Sequence, residues 1–401
     1  MKIPFLMLIA FILISCQKKE NIEVEKPSLQ NIDSDSLVLK GETHQIEKQI
    51  LRTDPLTKIH YNKYTKGIYL TAYTIATQNI SSVLDSAEAA GINTIVFDLK
   101  NMNGNIFFRM PQKGFLKADN IKPIVDTKKT VTSIHKRNMR AVARLVMFHD
   151  QITAQRDSTL RPQNIQGGSW QESKRKKPSW LDPSNKKVQD TLFEIIKEVC
   201  QFGIDEIQLD YVRFPTQGDI SNAVFAFQRE DSLFINSDST YICRDKPEII
   251  ETFVQKVKSI CNESEVTLTA DVFAIVSWQR EVDINATGQD ISRMSKNLDA
   301  IHPMIYSSHF ARDFGYREDL PNEPYYIVYK GSKLTLQYTN SDCKVIPYIQ
   351  SNSWKVNYTY DYIIAQIEAV VASGADGYIL WNASNNYYRT LRWIREFDNN
   401  K

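Results

Sequence analysis

Residues 186–211 read KKVQDTLFEIIKEVCQFGIDEIQLDY, and this stretch carries one complete structural unit. Leu192, Ile195, Ile196, Val199 and Cys200 recur three or four apart, as on one face of an amphipathic helix. Gly203 stops the pattern where a helix C-cap needs left-handed backbone. A β-rich run over 206–211 follows at once. The same order, helix then Gly then strand, returns at Ala90-Gly91-Ile92-Asn93 and at Ser373-Gly374-Ala375-Asp376. Working outward, β-rich runs lie at 67–73, 94–98, 141–148, 206–211, 266–273, 300–306, 345–349 and 377–381. Helical periodicity fills 81–90, 186–202, 247–261 and 360–373 between them. Eight strands alternating with helices predict a (β/α)8 TIM barrel in one domain. A doubly wound open sheet is the competing arrangement, but no Gly-rich dinucleotide fingerprint follows any strand.

The chain has 401 residues, 42% hydrophobic, with 49 Lys+Arg against 47 Asp+Glu, enough for a large core and almost without net charge. Whole-chain disorder is excluded. Basic residues are scattered except for Lys174-Arg175-Lys176-Lys177, so there is no electrostatic footprint for nucleic acid, and none is expected as a partner. Two connections, 150–184 and 216–246, are longer than a barrel needs and are expected to wall the substrate on the C-terminal face.

At the start, Met1-Lys2 precedes an apolar run over 3–14 broken only by Pro4. That length suits a signal-peptide core rather than a bilayer span. Leu13-Ile14-Ser15-Cys16 resembles the bacterial lipobox, which predicts cleavage before Cys16 and its lipidation. An ordinary secretory signal or a buried N-terminal strand is the alternative. The expected organisation is a lipoprotein signal peptide at 1–15, a polar tether at 16–60 and the barrel at 61–398. The expected place is the bacterial cell envelope, with the membrane touched through the lipid anchor alone. Cys200, Cys243, Cys261 and Cys343 form no C-x-x-C pair and have no ligand-like His spacing, so neither zinc nor thiol chemistry is expected.

Strand ends decide between barrel chemistries. The first strand offers Tyr69, Thr71 and Tyr73 rather than the His-x-His of a metal hydrolase, and neither metal nor cofactor is expected. The sixth strand has no Schiff-base lysine; Lys100 is the one candidate, with Asp98 two residues before it on the same face. The loops after the last two strands lack the glycines of a phosphate site. What remains is Asp98, Asp210 and Asp271 ending strands two, four and five, with Tyr306, Tyr348 and Trp381 on strands six to eight. Carboxylates beside planar rings suit a sugar site, since rings stack on apolar sugar faces and an oxocarbenium-like transition state needs negative charge nearby. The chemistry indicated is glycoside hydrolysis of an extracellular or cell-wall polysaccharide or oligosaccharide. A non-catalytic carbohydrate-binding or scaffold lipoprotein is the alternative, and a lyase or transferase on the same rim is a third.

The block Glu206-Ile207-Gln208-Leu209-Asp210-Tyr211-Val212-Arg213-Phe214-Pro215 resembles the hallmark of a bacterial glycosyl hydrolase domain family of unknown function, expected to be a TIM barrel. Ala143-Arg144-Leu145-Val146, Trp180-Leu181-Asp182-Pro183, Ala270-Asp271-Val272-Phe273, Thr287-Gly288-Gln289-Asp290, His302-Pro303-Met304-Ile305-Tyr306 and Leu380-Trp381-Asn382-Ala383 match it further. The resemblance covers about residues 66 to 390 and implies glycosidase activity. Arg144, Arg213, His302 and Tyr306 join the expected substrate contacts.

Alternation turns Gln208 and Asp210 toward the barrel interior and Ile207 and Leu209 toward the helices. Asp210, with Arg213 nearby to hold it ionised, is the expected nucleophile. Asp271, followed by Val272 and Phe273, is the expected acid, and Asp98 is its substitute. Neighbouring strands about 4.8 Å apart favour the short carboxyl separation of a retaining enzyme. Trp180 and Trp381, beside Asp182 and Asn382, are expected to offer stacking faces with hydroxyl-binding groups.

Overall fold

The computed structural model describes residues 64–237 and 240–400. The Leu13 to Cys16 box and the tether lie outside the described residues. Eight parallel strands are present: β1 Thr65–Leu70, β2 Thr94–Lys100, β3 Arg140–Val146, β4 Glu206–Asp210, β5 Thr267–Val272, β6 Ala300–Ile305, β7 in two pieces (Lys344–Val345 and Tyr348–Gln350) and β8 Gly377–Trp381. They pair in chain order, and β8 pairs with β1 through Thr65↔Gly377 to Ile68↔Leu380, so the sheet closes. Closure excludes the open sheet. The break in β7 falls at Ile346-Pro347, because proline brings no N–H to the ladder. The second piece then bonds both neighbours, Tyr348 to Met304 and to Ile379.

Helices alternate with the strands: α1 Ile80–Ala89, α2 Thr127–His135, α3 Lys186–Cys200, α4 Lys246–Glu263, α5 Glu281–Thr287, α6 Pro324–Tyr338, α7 Tyr360–Ser373 and α8 Tyr388–Asn399. The unit read first in the sequence forms as expected. Asn185 caps α3 by accepting from the Lys187 and Val188 amides, and Val188, Leu192, Ile195, Ile196 and Val199 are buried beneath it. Gly91, Gly203 and Gly374 all take positive φ (70°, 73° and 83°), the geometry that lets the chain turn from helix into strand.

Alternation along β4 sorts its side chains. Ile207 and Leu209 join the shell between strands and helices, while Gln208 and Asp210 enter the barrel. At the bottom of the interior, Arg140 reaches Glu206 at 2.6 Å, and Thr269 donates to the other carboxylate oxygen at 2.6 Å. Burial pushes the Glu206 carboxyl up, but Arg140 and His302 outweigh it and hold it below the ordinary value. Above this lies an apolar layer that includes Tyr69, Val96, Val142 and Ile346, and the polar mouth sits on it.

The two long connections are stapled to each other. Gln163–Asn164 pairs antiparallel with Ala223–Val224, Trp170 Nε1 donates to the Asp219 carbonyl at 2.8 Å, and Asp182 accepts from the Ala226 amide at 2.7 Å. Lys100 does not share a face with Asp98. The β2–β3 register shifts between the two, and Lys100 turns into a buried pair with Asp150 at 3.2 Å. That correction removes it from the strand-end chemistry.

Candidate active site

The mouth is organised by Arg144 on β3. Its neighbours across the ladder are Asp98 on β2 and Gln208 on β4. The guanidinium reaches Asp98 at 2.5 Å through Nη1 and meets one oxygen of Asp210 through both Nη2 and Nε, the latter at 3.1 Å. Asp271 Oδ2 lies 3.9 Å from Nε. Three carboxylates from three strands therefore converge on one cation. Burial works against the Arg144 charge, but Asp210 and Asp98 raise its pKa well above the ordinary value and keep it protonated.

The three carboxyls differ in what holds them. Asp98 is clamped on both oxygens, by Arg144 and by the Tyr69 hydroxyl at 2.7 Å. Burial still raises its pKa. Asp210 accepts from the amide of Tyr211, the next residue, at 2.6 Å. Tyr211 itself takes left-handed backbone at φ 51°, strained for a non-glycine residue, and turns the chain away from the end of β4. Asp271 accepts from Gln208 Nε2 at 2.7 Å, and the same amide donates to the Tyr348 hydroxyl at 2.8 Å. Burial first, and the charge of Asp210 second, raise the Asp271 carboxyl well above the ordinary value.

A cleft of about 460 Å³ opens over these groups. One wall is aromatic: Tyr306 stacks on Trp381 with centroids 4.8 Å apart, and His309 packs edge-on against Trp381 and tilted against Tyr306. The other wall carries Tyr211, Arg213 and Phe273.

The structure brings together Asp98, Arg144, Asp210, Asp271, Tyr306, Trp381 and Arg213 around this cleft. It does not bring the rest. Trp180 is 6% exposed, packed edge-on to His149 and beneath Arg213, so its faces are spent in the wall. His302 is fully buried, one layer below the mouth, with Nδ1 2.8 Å from the Ile346 carbonyl. Asn382 uses its amide on the carbonyls of Ser351 and Asn386 and its oxygen on Ser384, which makes it a loop brace. Among the described residues Arg213 holds no carboxylate; Arg144 pairs with Asp98 and Asp210 instead. Tyr69 and Gln208 also reach the carboxyls, and their place on the inward face that alternation marks is the signal for them in the sequence. Among the described residues no group of three or more His, Cys, Asp and Glu side chains is arranged to hold a metal ion.

Trp381 and Trp180 should therefore respond unequally. Trp381→Ala removes a half-exposed ring from the cleft wall and should change the melting temperature little. Trp180→Ala opens a cavity in the wall and should cost about 3–5 kcal/mol of stability. Thermal and denaturant unfolding separate the two.

A closed (β/α)8 barrel whose C-terminal mouth gathers acids and rings is a frame shared by many glycosidases. This chain belongs to the family described as "Putative glycosyl hydrolase domain", whose profile matches residues 67–387. Among solved structures, the PgaB (BpsB) glycoside hydrolase domain from Bordetella bronchiseptica is similar at TM-score 0.59 and 11% identity, covering 82% of this chain and 98% of that one. The catalytic domain of β-amylase from Paenibacillus polymyxa follows at TM-score 0.50 and 9% identity, covering 84% and 98%. A hypothetical protein from Ruminiclostridium thermocellum ATCC 27405 is 28% identical over 51% of this chain and 97% of that one, at TM-score 0.43. No curated protein matches the chain.

Proposed function

We propose that this protein hydrolyses glycosidic bonds in an extracellular or cell-wall polysaccharide, with retention of anomeric configuration. The observation that carries the reading is the unequal treatment of two neighbouring carboxyls. Asp210 is bound twice by Arg144 and once by its own turn, whereas Asp271 stands 3.9 Å from the cation and is pushed up by burial. Asp210 is then the ionised nucleophile that attacks the anomeric carbon. Asp271, positioned by Gln208, gives its proton to the departing oxygen and, as a carboxylate, takes one back from the water that releases the glycosyl-enzyme. Asp98 is the weaker choice for acid because Tyr69 and Arg144 occupy both its oxygens. Its role is to hold Arg144 in place.

The test is incubation of the whole protein with a panel of polysaccharides, reading new reducing ends and the first-formed anomer by proton NMR. Release with retention supports the assignment; inversion removes Asp210 as nucleophile. Binding without release favours the scaffold alternative.

The acid should also show itself in the pH profile. A carboxyl with a raised pKa is protonated, and able to act, below that value, so kcat/KM falls as pH rises through it. Asp271→Asn should abolish this alkaline limb and lower kcat/KM for unactivated glycosides by about 10²–10⁴-fold, while aryl glycosides with good leaving groups keep most of their kcat/KM but lose kcat, because the second step has lost its base. An unchanged alkaline limb assigns the proton elsewhere.

We further propose that the mature protein is anchored through lipidated Cys16 on the bacterial cell envelope. Among the described residues no helix is long and apolar enough to cross a membrane. Cys16→Ala should shift the protein from the membrane fraction to the soluble one, with loss of the acyl mass seen for the unsubstituted chain. Membrane retention without that mass rejects the anchor.

A further inference from the structure

Inside the barrel every arginine is matched by acid: Arg140 by Glu206, and Arg144 by Asp98 and Asp210. Arg213, on the cleft wall, is not. Its guanidinium lies over three rings, 4.7 Å from Trp180, 5.1 Å from Phe273 and 5.3 Å from Tyr211. Nη1 donates to the Phe214 carbonyl at 2.9 Å and reaches the Thr216 hydroxyl at 3.5 Å. Those contacts leave the Nε and Nη2 edge without a hydrogen-bond partner among the described residues. That edge is the one that grips a carboxylate with two parallel hydrogen bonds.

Burial lowers the Arg213 pKa, and Asp210 supports its charge through space rather than by contact. The acids lining the cleft are Asp98, Asp210 and Asp271, all aimed at Arg144. Beyond the opposite wall, Trp354 packs on His309 at 4.6 Å and carries Lys355 over its face at 4.2 Å. Lys355 is exposed and pairs with no acid among the described residues. A polymer lying across the carboxyls would thus meet a cation on each side.

We propose that Arg213 binds a carboxylate carried by the substrate, so that the polysaccharide is one containing uronosyl residues, with a uronate ring seated beside the bond to be cleaved. This rests on the hydrolase reading for the position of the bond but not for the binding itself. A planar carboxylate fits the free guanidinium edge, which opens to the cleft while the three rings cover the guanidinium faces. The same rings hold the fork in place before the substrate arrives, which reduces the entropy lost on binding.

The experiment measures binding by the whole protein carrying Asp210→Asn, so that no turnover is needed. Pectate, alginate, glucuronoxylan and hyaluronan are compared with the same polymers after reduction of their carboxyls to alcohols, and with a sulfated neutral glycan. At least one uronate polymer should bind tenfold or more tighter than its reduced form. Adding Arg213→Gln should bring that ratio below about threefold. Arg213→Lys, which keeps the charge and gives up the fork, should leave an intermediate ratio and serves if the Gln variant does not fold. Equal affinity for native and reduced polymers, binding of none of them, or a ratio untouched by either substitution overturns the inference. A preference for the sulfated glycan alone overturns the carboxylate assignment. Cleavage of neutral glycans by the unsubstituted protein with no preference for uronates would leave the hydrolase reading standing while removing this one.

Discussion

Asp210→Asn should reduce turnover by about 10⁴-fold or more while the barrel stays folded. The amide keeps the shape of the carboxyl but has no charge to attack an anomeric carbon. It also changes the acid. The charge of Asp210 is the second cause of the raised Asp271 pKa, so in the variant Asp271 moves down and releases its proton at lower pH. Both partners of the reaction are damaged by one substitution. Folding should survive because Arg144 keeps Asp98 at 2.5 Å and is not left as an unpaired buried cation. The remaining cost is an imperfect hydrogen bond where Nη2 met the carboxylate, about 1–3 kcal/mol in denaturant unfolding. The variant suits the binding measurements above for that reason. Near-wild-type release of reducing ends from a substrate that the unsubstituted protein cleaves would remove Asp210 from the chemistry.

The strands were legible because a parallel barrel buries both faces of its sheet, and eight β-rich runs between Gly-stopped helices admit few other arrangements. The inward placement of Gln208 and Asp210 followed from alternation alone. The partner of Asp210 did not. Arg213 stands three residues along the chain, and sequence proximity made it the expected counter-charge. The strained turn at Tyr211 sends it instead into a ring cage, and Arg144, sixty-six residues away, meets the carboxylate across the ladder. Register between β3 and β4 sets that contact, and register is a long-range property that no local motif displays. The tryptophans divide for a related reason. Trp381 is placed by the end of a strand. Trp180 belongs to a long connection that folds back until it bridges to His149, so its burial depends on contacts that spacing does not encode. His302 lies on the expected face, but its depth depends on the stagger of the strands, and it falls one layer too low to touch substrate.

Arg144→Met should be the most destabilising single change at the mouth, costing about 3–5 kcal/mol near neutral pH. Methionine replaces the aliphatic stem but stops short of the guanidinium, so a small packing loss, the same at every pH, adds to the electrostatic one. Asp98 and Asp210 would keep their burial and lose the cation that two of the short contacts serve. The folded-state pKa of Asp98, already raised by burial and held down by Arg144, must then rise further. A carboxyl raised in the folded state binds more protons there than in the unfolded chain, so stability is retained at low pH and falls as pH climbs through the raised values. The deficit of the variant should therefore be small near pH 4, where the unfolded chain's carboxyls also hold protons, and grow toward pH 7. Denaturant midpoints measured across that range decide it, because a packing defect would cost the same at every pH. Arg144→Lys should recover most of the stability at pH 7 but little of the activity. A single ammonium can neutralise the cluster, yet it lacks the fork that holds Asp98 on one nitrogen and Asp210 on two others.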